Sequence, residues 1–123
     1  MTAQSFDNMS DEELVREFSI AAREFGSAVL DSDAKRANRA YPRRQAVEET
    51  LRSRGHAARL ALVPLLDDKD RLVRYYAAKH LFPIVSNRPR KIIENNAKFR
   101  FDPIGADARM MLRMVDSGEY KPD

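Results

Sequence analysis

Apolar residues recur at steps of three and four along most of this chain, with polar residues filling the positions between them. That period lines up side chains on one face of an α-helix. The first such stripe is Leu14, Phe18, Ala21, Ala22, Phe25 and Val29. It predicts a helix starting at Asp11, because Ser10 and Glu13 have the spacing of a capping box. Gly26 weakens its last turns, and Asp31 and Ser32 interrupt the pattern. Ala34, Ala37, Tyr41, Glu48 and Leu51 then trace a second helix, capped by Ser32 or Asp33 and closed by Gly55. Pro42 falls inside it. The lost backbone donor and the clash of the ring with the preceding turn predict a kink there, or two helices. Asn38 and Tyr41 are assigned to that bend, where the short amide of Asn38 can bond a freed backbone group.

The stretch from Ala57 to Leu66 is apolar nearly all round, as expected of a short helix buried on more than one side. Asp67, Asp68, Lys69 and Asp70 make a turn. Beyond it Val73, Tyr76, Ala77, His80, Leu81 and Ile84 share one helical face, with Arg71, Tyr75 and Lys79 pointing roughly the other way. Pro83 ends or distorts this helix, and Pro89 suits the first turn of a fifth, whose inner side is Ile92, Ile93 and Asn96. After the connector FRFDPIG, a last helix is expected from about Ala106 to Asp116, with Ala108, Met111, Leu112 and Val115 at core spacing and a stop at Ser117-Gly118. No strand pattern is found. The expected fold is all-α: a single domain of about six helices in antiparallel pairs over residues 10–118, with tails at 1–9 and 119–123.

Composition narrows the chemistry. With 123 residues, 43% hydrophobic and 33% charged, the chain suits one globular domain with a polar surface. The absence of cysteine removes disulfides, thiolate nucleophiles and cysteine-based zinc sites. There is no export-type leader pattern and no run of apolar residues long enough to span a bilayer, so a cytoplasmic protein without membrane attachment is expected. The two ends of the chain are acidic and the centre, residues 31–100, is strongly basic.

Residues Leu62 to Leu81, LVPLLDDKDRLVRYYAAKHL, resemble a HEAT repeat: an apolar first helix with a proline, an acidic turn, then Val-Arg and two alanines. The small Ala77 and Ala78 allow close helix approach, and Val73 and Leu81 fill the groove between neighbours. The resemblance implies a HEAT-like α-α superhelix and structural, not catalytic, roles for Asp68 and Arg74. The Asn38-Arg39-x-Tyr41 segment, Leu65-Leu66-Asp67 with Val73-Arg74 and Ala77-Ala78, and the Met111-Leu112 helix ending at Gly118 are similar to a small bacterial family. It is the domain-of-unknown-function family numbered two-thousand-and-nineteen, which implies the same fold and supplies no activity.

Candidate chemistry is sparse. His56 and His80 have no metal-ligand spacing, and His80 reads as a satisfied core histidine. Glu48-Glu49 and Asp67-Asp68 read as solvated helix face and turn. No phosphate loop or nucleophile elbow occurs, so no catalytic residue, metal or cofactor is expected. The remaining feature is a basic helical surface of Arg36, Arg39, Arg43, Arg71, Lys79 and Arg113, with Tyr75 available for stacking. The expected function is a non-catalytic protein-interaction module whose partner is acidic. The alternatives are nucleic-acid binding through the same surface and an enzyme with an unrecognised site. A monomer or a weak homodimer is expected, the latter through Met110, Met114 and Phe82.

Overall fold

A computed structural model describes residues 4–85 and 87–119, with the side chains of residues 4 and 5 excepted. Seven α-helices and one 3-10 helix occur among the described residues, and no strand. They are α1 (Gln4–Asp7), α2 (Asp11–Leu30), α3 (Ala34–Arg54), α4 (His56–Leu60), the 3-10 helix (Val63–Asp67), α5 (Arg71–Leu81), α6 (Asn87–Asn96) and α7 (Pro103–Ser117). Helix α2 starts where its capping box places it. The Glu13 amide donates to Ser10 Oγ at 3.1 Å, and the Ser10 amide donates to Glu13 Oε1 at 2.8 Å. Asp33 caps α3 through the Arg36 amide, and Gly55 closes it at φ 101°.

Three expectations need correction. Of the two outcomes expected at Pro42, a kink or two helices, the second does not occur, since Pro42 lies inside one continuous helix. Its missing donor frees only the Asn38 carbonyl, and Asn38 and Pro42 both face solvent, where water can satisfy that oxygen. The single helix expected over 57–66 is instead α4 followed by the 3-10 helix. Pro64 cannot continue the α ladder, and the turn tightens, with the Leu65 amide donating to the Leu62 carbonyl at 2.8 Å. Helix α7 begins three residues before Ala106, because Asp102 caps it through the Gly105 amide at 2.9 Å and Pro103 suits its first position. Its end at Gly118, φ 82°, is the expected left-handed stop.

The α2–α3 hairpin and the α5–α6–α7 group pack against one core containing Leu14, Phe18, Val47, Leu51, Leu62, Leu81, Ile93 and Ile104. Helix α5 is the centre. Eight of its eleven residues are buried, including Tyr75, so it is covered on all sides and not split into an inner and an outer face. Gly26 permits its approach to α2, since a β-carbon there would stand 2.8 Å from Leu72 Cδ1. Val73, Ala77, Ala78 and Leu81 are inaccessible to solvent, and Arg74 Nη1 donates to the Asp68 carbonyl at 2.7 Å. The segment expected as an N-terminal tail contributes α1 and buries Phe6 against the core, while residues 1–3 lie outside the described residues. The tail expected at 119–123 lies outside them beyond Glu119.

Candidate partner-binding groove

Helix α3 presents Arg36, Arg39 and Arg43 at steps of three and four, toward the facing side of α2. Together with Ala21, Glu24 and Ala40 they line a groove of about 280 Å³ between the two helices. The small alanines let the guanidinium groups define its walls. Arg36 is fixed from below, Nη1 lying 3.1 Å from Asp31 Oδ2 and Nη2 donating to Ser27 Oγ at 3.0 Å. Arg43 is paired with Glu17 and stands 3.9 Å from Glu24. Arg39, between them, is exposed and forms no ion pair among the described residues. The groove therefore holds two oriented arginines beside one whose donors face solvent, an arrangement suited to a carboxylate.

The other four residues expected on this surface lie elsewhere. Arg71 makes two bonds to Asp102 at 2.8 and 3.0 Å and one to Asn96 Oδ1 at 2.7 Å, and its guanidinium lies 3.8 Å from the Phe99 ring centroid. The hydrogen bonds from Arg71 hold the Asp102 carboxyl below the usual aspartate range, against the smaller opposing effect of burial. Tyr75 has no exposed surface and donates its hydroxyl to Asp107 Oδ2 at 2.5 Å, so it is not available for stacking on a base. Burial, then the Asp107 contact, push its phenol well above the normal range. Lys79 pairs with the same Asp107 oxygen at 2.8 Å. Arg113 is exposed on α7 without an ion pair among the described residues.

A buried polar network escaped the sequence reading. Glu48, expected on a solvated face, is buried among Arg44, Arg52 and His80. Arg59 Nε donates to His80 Nε2 at 3.0 Å, so that nitrogen carries the lone pair and Nδ1–H faces Glu48 Oε1 at 3.3 Å. Burial chiefly lowers the His80 pKa and keeps the ring neutral. Burial opposes ionisation of Glu48, but His80, Arg44 and Arg52 outweigh it and the carboxyl lies below its ordinary value. Both ring nitrogens are occupied, so the histidine braces α3, α4 and α5 instead of exchanging protons with a ligand. Arg44 is also ringed by Phe25, Tyr41 and Tyr76, with centroids 5.0, 5.6 and 4.6 Å away. Tyr41 thus belongs to this cage. The i,i+4 spacing of Arg44, Glu48 and Arg52 was the visible signal. No group of three or more potential metal ligands occurs among the described residues.

These features define an all-α domain of packed helix pairs with an arginine-lined groove and a braced polar interior. The profile described as "Domain of unknown function (DUF2019)" matches residues 12–116, and the chain belongs to that family. It is similar in structure to the crystal structure of the protein RPA1889 from Rhodopseudomonas palustris CGA009, with TM-score 0.85 and 27% identity. The match covers 95% of this chain and 97% of that one. No functionally curated protein matches the chain. No described helix is long and apolar enough to cross a membrane.

Proposed function

We propose that this domain is a non-catalytic, cytoplasmic protein-interaction module that holds an acidic segment of a partner protein in the groove between α2 and α3. The observation that carries the reading is Arg39, unpaired among the described residues and bracketed by two arginines that neighbouring side chains already orient. Guanidinium forks fixed in advance lose little freedom on binding a carboxylate, and a small alanine floor admits an extended segment. A HEAT-like stacking of the helix pairs is part of the same proposal, since such pairs present ridged surfaces without needing chemistry of their own.

Nucleic acid is the weaker reading. Because Arg36 and Arg43 already pair with carboxylates, the groove leaves one cation, Arg39, enough for a single carboxylate but not for a continuous phosphate track; Tyr75 offers no stacking face, and Arg71 and Lys79 are neutralised by aspartates. The test is calorimetric titration with a glutamate-rich peptide and, separately, with single-stranded oligothymidine. Peptide binding is expected to weaken as salt rises from about 50 to about 300 mM, and to fall at least roughly ten-fold in Arg39→Glu with the circular dichroism spectrum unchanged. Peptide affinity indifferent to Arg39→Glu, or tighter binding of the oligonucleotide, would overturn the reading.

A further inference from the structure

The loop between α6 and α7 presents two aromatic rings on a rigid mount, one wholly exposed and the other, Phe99, 47% exposed. Phe101 is 100% exposed, whereas Ile104, three residues on, is fully packed into the core. The loop is held from two sides. From α7, Arg109 Nη1 donates to the carbonyls of Ala97 and Phe99, both at 2.9 Å, and Nη2 to that of Arg100 at 3.3 Å. From α5, Arg71 lies over the Phe99 ring and grips Asp102, which caps α7. Gly105 closes the joint: a β-carbon there would stand 2.1 Å from the Phe99 carbonyl oxygen, so only glycine lets the loop lie this close to α7. Lys98 and Arg100, three residues and one residue before Phe101 in the same loop, are exposed and without an ion pair among the described residues.

We infer that this loop is a second, preorganised contact point, at which Phe101 enters an apolar pocket of a partner protein while carboxylates on the pocket rim pair with Lys98 and Arg100. A fixed aromatic enters a pocket without the ordering cost of a mobile loop, and aromatic and arginine side chains dominate interface energetics. The neighbouring cations select an acidic rim. A bilayer is a poorer match, because stable membrane attachment takes more than a small apolar contact, and the Phe99 ring, though 47% exposed, has one face taken by the Arg71 guanidinium. A single nucleic-acid strand is also a poorer match, because Arg71 and Arg109, which hold the loop, are spent on Asp102 and on backbone carbonyls, leaving only Lys98 and Arg100 for a run of phosphates.

The test places the photo-cross-linking residue p-benzoyl-phenylalanine at position 101 of the full chain, irradiates cells of the source organism and maps the adducts by mass spectrometry. The expected result is one protein other than this chain, joined at an apolar segment flanked by aspartate or glutamate. Its yield should fall at least ten-fold when Lys98→Glu and Arg100→Glu are added, with no such adduct from the same photoprobe at exposed Ile20. Adducts only to copies of this chain, to nucleic acid or to lipid overturn the inference. So do a segment without carboxylates, a yield unmoved by the charge reversals, and a signal no stronger than at position 20. Phe101→Ala should leave the melting temperature unchanged, since the ring touches nothing that folding needs. Because the groove and the loop come from different helices, Arg39→Glu can abolish peptide binding with the adduct retained, and the two readings fail separately.

Discussion

Arginines on the α2–α3 edge and arginines around α5 look alike in the sequence and do opposite things in the fold. Around α5, Arg59, Arg71 and Arg74 are consumed by His80, by Asp102 and Asn96, and by the Asp68 carbonyl. On the edge, Arg36 and Arg43 are oriented by partners at the rim, and Arg39 between them keeps its donors toward solvent. The difference teaches that the basic centre of the chain is not one electrostatic patch. Part of its charge is internal bracing, and only part is available to a ligand.

Substitutions can separate these two classes. The largest effect is expected for Arg59→Ala, which strips His80 of two buried charged hydrogen bonds, to its ring and to its carbonyl. A loss of about 3 kcal/mol in urea unfolding is expected, and a loss below about 1 kcal/mol would mean the brace is ornamental. Arg71→Ala is expected to cost about 2 kcal/mol, because its pair with Asp102 is only partly screened and it also orders the α6–α7 loop. The same pair sets a pH dependence. An aspartate whose pKa is lowered on folding binds fewer protons folded than unfolded. Its stabilisation is therefore complete above the ordinary value of 3.8 and is lost as pH falls through the lowered one. Acid unfolding below that value should flatten in Asp102→Asn; an unaltered profile would remove Arg71 from the bracing class. The smallest stability effect, within about 0.5 kcal/mol, is expected for Arg39→Ala, although peptide affinity drops. A thermal shift as large as that of Arg71→Ala would erase the contrast.

Much of the fold was legible because its signals are local. Ser10 with Glu13, Asp33, Gly55 and Gly118 each act on backbone groups within four residues, and each marks a helix end where it was expected. What was not legible depends on partners distant in sequence. Nothing near Tyr75 announces Asp107, 32 residues later, or reveals that helices on every side cover the hydroxyl-bearing ring. Glu48 reads as surface until Arg44, Arg52 and His80 converge on it. Of the residues expected on one basic surface, Arg36, Arg39 and Arg43 share a groove because they share one helix. Arg71 and Lys79 were drawn away by aspartates of the α7 region. The exposed ring of Phe101 had no signal in periodicity at all, since it lies in a connector.

Gly26 gives the groove a dependence on the interior. The wall that carries Glu24 and the floor that carries Ala21 both ride on α2, and α2 rests on α5 at the one place where a side chain is missing. A single added methyl would act as a shim, levering α2 outward and carrying wall and floor with it. The gauge of the groove is thus set at a residue no visiting molecule touches.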